Sequence, residues 1–471
     1  MLFNSAIFLV FGFVFFALWQ WAKNDRNSRL ILITLSSFLF YGWWDWRFLF
    51  LIIGSGLLDF FVGLSIEKYP NRRKLFLFVS IIGNIGSLAA FKYSGFIFEN
   101  IDFLLHSYGY NTNLKAGIPD FMLITPVGIS FYTFQSMSYT IDIYRNELKP
   151  TRNIMQFFAY LSMFPQLVAG PIVRARDLLP QLLKKPQTTE QDRYDGLKLI
   201  VHGYFKKMVL ADNLAPIVNQ AFVHENMSNS TLYWWLVITA FAFQIYFDFS
   251  GYSDIARGLA KWMGLNFNLN FNHPYTSLSL REFWTRWHIS LSTWFKDYVY
   301  IPLGGSKGKK WKGDVNMWIT MLVSGLWHGA NWTFVIWGAI HAFFLNVERR
   351  FRWTKVLLKN SVTRVLLLLL IMVQVWVAWV FFRADDIHQA LFIVGKMFSF
   401  NTDFYTPLNF GDFILIAVGI MREIWIYHKI DRNKFYSEKW KFLVDVALMV
   451  LFIVLIVFLR GSGNEFIYFQ F

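Results

Sequence analysis

REFWTRWHISLSTWFKDYVYIPLGG (281–305) and MLVSGLWHGANWTFVIWGAIHAFF (321–344) decide how this chain is read, because they set His288 and His328 among apolar and aromatic residues. Lipid offers an imidazole no hydrogen-bond partner, so a histidine in an apolar span faces a protein interior or a wet cavity. His328 is then either a site residue or a core histidine bonded to a neighbouring carbonyl. On an unbroken helix Ser324, four residues before it, and Asn331, three after it, share its face. In the first stretch Arg281, Trp284, His288 and Ser292 recur at helical spacing beside an apolar stripe of Trp287, Leu291, Trp294 and Tyr298. That pattern predicts an amphipathic helix near a membrane interface, stopped by Pro302 and Gly304-Gly305. Glu282 precedes Arg286 by four residues, the better orientation for a surface ion pair.

Around these stretches the 471-residue chain is 55% hydrophobic, 20% aromatic and only 16% charged. This is the composition of a polytopic membrane protein, here an all-α one. Spans pack as one body, so a single domain over 1–471 is expected. The chain has no cysteine, which excludes disulfides, Cys-ligated zinc, iron–sulfur clusters and a thiol nucleophile. No metal site is expected. The net charge of +15 does not form one patch. Basic residues recur in short loops at 23–29, 68–74, 145–152, 174–193, 307–312, 349–359 and 429–441, the positive-inside pattern of a cytoplasmic (inner) membrane protein in contact with lipid. No nucleic-acid partner follows from it. Residues 2–19 lack a basic leader and a small-residue cleavage site, and read as a retained first span.

A span needs roughly 20 apolar residues. Candidates lie at about 2–22, 30–47, 48–66, 75–93, 122–143, 195–220, 231–250, 313–330, 332–347, 364–382, 411–427 and 441–459, giving about ten to twelve transmembrane helices. The basic loops fall on one side if 154–173 is a re-entrant hairpin, with both termini outside the cytoplasm. Residues 94–121 are too polar to span and read as an interfacial helix plus loop, with His106 solvated. Gln135, Ser138 and Asp142 form a polar stripe that must turn inward, to line a cavity or to bond a neighbouring helix. Pro165 and Gly170-Pro171 break the apolar run 160–181, which at membrane depth requires burial in protein or water.

In GYFKKMVLAD (203–212) Lys206 and Lys207 are placed near the cytoplasmic interface, snorkelling. AFQIYFDFSGYSDIARGLAKWMG (242–264) sets Gln244 and Asp248 at the end of a span, turns at Ser250-Gly251 and offers Ser253 as the next N-cap. Asp248 tunes a histidine, pairs with an arginine such as Arg281 or Arg286, or is a helix-end carboxylate. The loop GGSKGKKWKG (304–313) lacks P-loop spacing; its lysines follow the positive-inside rule or meet a coenzyme's phosphates. The aromatic tail EFIYFQF (465–471) packs against the bundle.

The phrase RWHISLSTWFKDYVYIPLGG, the phrase SGLWHG with WxFxxWGxxH after it, and the separation of their histidines resemble the membrane-bound O-acyltransferase family, specifically its bacterial alginate O-acetyltransferase branch. Residues 125–145, 160–181, 203–212 and 242–264 resemble further phrases of that family, so the match runs from about 125 to 347. The resemblance implies a ring of spans around a thin central pore. It makes His328, beside Trp327 in the WHG phrase, catalytic, and His288 the second characteristic histidine. It further implies an acyl thioester donor (acetyl-CoA or an acyl carrier) as substrate rather than bound cofactor, an exported polysaccharide as acceptor, and a periplasmic or extracellular acyltransferase partner. Ala342 follows His341 where the family often has glycine.

A buried histidine without cysteine or nucleotide loop suits acyl transfer from a thioester to a hydroxyl, which needs a general base and donors for the oxyanion. His328 is the expected base, Asn331 or Ser324 its orienting or oxyanion group, and His288 lines the donor side. Two alternatives stand beside this reading. One is D-alanyl transfer to teichoic acid. The other is a transporter or export channel with His288, His328 and Asp248 as a proton relay, although the matching halves of such carriers are not seen.

Overall fold

Lipid cannot satisfy a backbone amide, so apolar runs of this length must close their hydrogen bonds internally. In the computed structural model, which describes residues 1–167, 170–223, 227–352, 360–401, 410–427, 438–463 and 466–467, every regular element among the described residues is helical. The chain forms two compact units, 1–197 with 256–268, and 198–255 with 269–471.

The first unit contains α1 (Ala6–Ala22), α2 (Arg26–Gly42), α3 (Leu49–Lys68), α4 (Arg73–Leu88), α5 (Ser94–Ser107), α6 (Ile129–Tyr144), α7 (Ile154–Leu161) and α8 (Ala175–Leu183). In α1 Phe8, Phe11, Phe15 and Trp19 are buried at i, i+3/i+4 spacing while Leu9, Val10 and Phe13 are bare. A helix apolar on both faces fits protein on one side and lipid on the other. A π-helical turn at Ala89–Tyr93 carries α4 into α5, so Pro70–Ser107 is one apolar run of 38 residues. Residues 94–121 form a helix, Ser94–Ser107, followed by a loop, as expected, and that helix continues from α4. Its polar groups are satisfied locally: Asp102 accepts from Leu114 N at 2.8 Å, and Asn100 donates to Phe96 O at 2.7 Å. His106 is exposed as expected. The α6 stripe turns inward and bonds a neighbour: Gln135 Nε2 donates to Tyr160 O (3.1 Å) and the Tyr160 hydroxyl donates to Gln135 O (2.8 Å). After α7 the described residues Phe164–Leu167 form a short helical turn, and they are buried as the broken segment requires.

The second unit holds α10 (Asp212–Ala221), α12 (Leu280–Arg286), α13 (Ile289–Phe295), α14 (Lys310–His328), α15 (Trp332–Phe351), α16 (Ser361–Arg383), α17 (Ile387–Met397), α18 (Phe410–Tyr427) and α19 (Glu438–Leu459); α9 (Glu190–Tyr204) and α11 (Thr231–Trp262) each contribute a stretch to both units. The turn expected at Ser250-Gly251 does not exist: α11 runs straight through it, and Ser253 is an interior residue rather than an N-cap. Gly251 is there for close approach, since a Cβ on it would lie 2.8 Å from Gly203 O. Lys206 and Lys207 do not snorkel. They sit in a π-helical turn, Phe205–Ala211, and are buried.

Most of the expected spans coincide with a helix, but 195–220 is two α-helices joined by the π-helical turn Phe205–Ala211, and 30–47 and 122–143 are each interrupted. Five helices among the described residues are long and apolar enough to cross a membrane: Trp46–Lys68, Pro70–Ser107, Thr231–Trp262, Ser361–Arg383 and Phe442–Leu459. In α14 the buried Asn316, Thr320, Ser324 and His328 dilute the apolar character. Most of the basic loop 429–441, part of 349–359, and most of the tail lie outside the described residues.

α14 and α15 form a tight antiparallel pair made possible by two glycines. A Cβ on Gly325 would collide with Phe334 O, and one on Gly338 with Met321 O, both backbone atoms that cannot swing away. Gly325→Ala is expected to cost about 1–3 kcal/mol by overpacking, read as a lower unfolding temperature in detergent. An unchanged temperature would show that the pair can spread.

A candidate active site around two histidines

The amphipathic helix expected over 281–300 is broken at its histidine. α12 ends at Arg286, α13 begins at Ile289, and His288 has φ +40°, in the left-handed region. Such a conformation costs of order 1–3 kcal/mol for a non-glycine residue and persists only where its surroundings impose it. Asn270 imposes it here. Its backbone oxygen accepts Ile289 N (2.9 Å), and its side-chain oxygen accepts Ser290 N (3.2 Å), Ser290 Oγ (2.9 Å) and His288 Nδ1 (3.2 Å). Asn270 Nδ2 in turn donates to Ser253 Oγ at 3.2 Å. With the hydrogen on Nδ1, the basic nitrogen of His288 is Nε2. The ring is fully buried and meets Phe249 edge-to-face at 4.6 Å. Trp287, Leu291, Trp294 and Tyr298 are core rather than a membrane-facing stripe. The Glu282–Arg286 ion pair forms at 2.5 Å.

His328 is the last residue of α14. Gly329 is extended, and Asn331 starts α15 as its N-cap, accepting Thr333 N at 3.0 Å while its Nδ2 donates to Asp385 O at 2.8 Å. Asn331 therefore does not share a helical face with His328, whereas Ser324 remains buried one turn before it. The His328 ring packs edge-to-face on Trp327 and Trp337, each at 4.9 Å, and on Phe382 at 5.1 Å. Trp327 is the common neighbour of both histidines, since its ring is also 6.2 Å from His288. The Trp327 ring thus lies beside both imidazoles.

Asp248 pairs with neither Arg281 nor Arg286. Its Oδ1 is 2.8 Å from Lys207 Nζ, which also holds Asp212 Oδ1 at 2.8 Å, and its Oδ2 accepts Ile467 N at 2.7 Å. It lies inside α11 rather than at a helix end, because a lysine on the adjacent π-helical turn compensates its charge. Its neighbour Phe249 joins this cluster to the site, touching His288 and, at 5.4 Å, the tail residue Phe466. Phe466 and Ile467, the described part of the tail, are buried as expected.

Sequence reasoning missed Asn270 and Asp212 and misplaced Lys207 at the interface. NFNLNFNHP (266–274) repeats asparagine four times, and no local signal singles out the one that pins His288.

The family model of the membrane-bound O-acyltransferases matches residues 143–383. The "probable alginate O-acetylase" of Pseudomonas aeruginosa is 38% identical over 427 residues, covering 89% of this chain and 79% of that one. The peptidoglycan O-acetyltransferase of Helicobacter pylori is 34% identical over 85% of this chain and 80% of its own length. The teichoic acid D-alanyltransferase of Bacillus subtilis is 29% identical over 50% of this chain and 63% of its own.

Proposed function

The chain belongs to the membrane-bound O-acyltransferase family, and from that premise we propose that it moves an acetyl group from a cytoplasmic thioester toward hydroxyls of an exported or cell-wall polysaccharide. The chain is a multi-pass membrane O-acyltransferase. The observation that carries the finer reading is the buried pair His288 and His328 around Trp327, on a chain whose two acetyl-transferring relatives align over most of its length. The D-alanyl-transferring relative aligns over half.

The acceptor oxygen attacks the thioester carbon as His328 takes its proton. The new C–O bond forms, the carbonyl electron pair moves onto oxygen, and on collapse the C–S bond breaks and the thiolate receives the proton from His328. His288, with Nε2 as its basic nitrogen, lines the donor side. In this reading both units act as one acyltransferase domain in the cytoplasmic membrane, acetyl-CoA or an acyl carrier supplies the donor, and an extracytoplasmic acyltransferase receives the acetyl group.

His288→Ala is expected to lower transfer about a hundredfold at wild-type levels of inserted protein; near-normal transfer would leave His288 only a packing role. Cells lacking the protein should lose O-acetyl esters from their surface polysaccharide while D-alanyl esters persist. Loss of D-alanyl esters with acetyl retained would overturn the acetyl assignment.

A further inference from the structure

His341 on α15 is 1% exposed, and neither ring nitrogen has a hydrogen-bond partner among the described residues. The indole Nε1 atoms of Trp284 and Trp337 are buried in the same condition. The three rings touch one another: His341 meets Trp337 edge-to-face at 4.8 Å and Trp284 at 5.0 Å, and the two indoles are 5.7 Å apart. Phe283 stacks on the imidazole at 6.5 Å. Trp337 is also the ring 4.9 Å from His328.

Buried polar groups in native proteins are nearly always paired, and leaving a donor unmade destabilises the fold. Three such groups in mutual contact are the mark of a site prepared for a ligand, and the aromatic walls with few polar atoms are the usual make-up of one. The ligand's chemistry follows from the donor count. Each indole donates only, and a neutral imidazole donates once and accepts once, so the cluster offers three donors against one acceptor. That set suits an acceptor-only oxygen such as a carbonyl.

We propose that Trp284, Trp337 and His341 receive the carbonyl oxygen of the acyl donor and stabilise the negative charge it gains when the acceptor hydroxyl attacks. The assignment rests on the thioester reading above. It takes the place of Asn331, whose side chain is committed to capping α15 and to Asp385 O. In the step itself the hydroxyl oxygen bonds to the acyl carbon, the hydroxyl proton passes to His328, and the carbonyl electron pair settles on the oxygen held by the two indoles and the imidazole. Its return expels the thiolate, which takes the proton back from His328.

His341→Phe is the deciding variant, because it keeps an aromatic ring and removes two buried unpartnered nitrogens. A packing role predicts a folded protein at least as thermostable as wild type with wild-type turnover. The oxyanion role predicts the same stability with kcat lower by about a hundredfold to a thousandfold and KM for the thioester little changed. Trp337→Phe and Trp284→Phe, which delete an indole N–H, are expected to show the same split between kcat and KM. Wild-type kcat in all three overturns the proposal, as does activity lost only in step with thermostability. Absence of transfer from an acetyl thioester by the wild-type protein would instead overturn the donor assignment.

Discussion

His328→Ala is expected to abolish detectable acyl transfer while the protein inserts at wild-type levels. Three features converge on that outcome. The imidazole is buried at the end of α14, its ring is held by Trp327, Trp337 and Phe382, and Trp327 links it to a second buried histidine. A general base contributes about a hundredfold to ten-thousandfold in rate, equivalent to roughly 3–5 kcal/mol of barrier. His328→Gln separates catalysis from packing. Glutamine retains a donor and an acceptor near the same place but cannot take a proton, so it should restore any lost folding and no transfer. An active His328→Gln protein would reduce His328 to a core hydrogen-bonding residue.

Lys207→Met should be the most destabilising single change in the second unit. Lys207 is 1% exposed and its ammonium is shared by Asp212 and Asp248, each also 2% exposed. Removing the cation leaves two carboxylates facing each other without water, and breaking a buried pair in this way costs about 3–5 kcal/mol. Adding Asp212→Asn and Asp248→Asn should recover much of that loss, because neutral amides carry no unpaired charge. Thermal unfolding in detergent checks both expectations. Equal stability of Lys207→Met and wild type would mean that water reaches the cluster. Because Phe249 follows Asp248 and packs on His288, the single variant should lose transfer activity as well.

Much of this arrangement was legible beforehand where hydrophobic period and polar interruption agree. The inward stripe on α6, the broken segment after α7 and the burial of His328 each follow from the cost of a polar group in lipid. What periodicity cannot encode is a backbone that leaves the helix at a non-glycine residue. His288 sits on an uninterrupted helical pattern, and only Asn270, brought from another segment, forces its left-handed turn. The same limit governs Asn331. Spacing alone places it on the face of His328, yet Gly329 ends α14 and makes Asn331 a cap, a role its residue type equally announces. Ser250-Gly251 shows the reverse error, a turn signature spent on helix-to-helix contact. Lys206 and Lys207 look like interfacial snorkels because Asp254, the partner of the first, and Asp248, a partner of the second, become neighbours only in the fold, while Asp212, five residues after Lys207, reaches it across the π-helical turn.

The central claim is tested most directly in sealed inverted membrane vesicles given acetyl-CoA labelled in the acetyl group. Label should appear as an alkali-labile ester on the polysaccharide acceptor, with release of free thiol outside the vesicles, and both signals should vanish in vesicles carrying His328→Ala. Ester formation that is equal with wild-type protein, with His328→Ala and with no protein at all would contradict it.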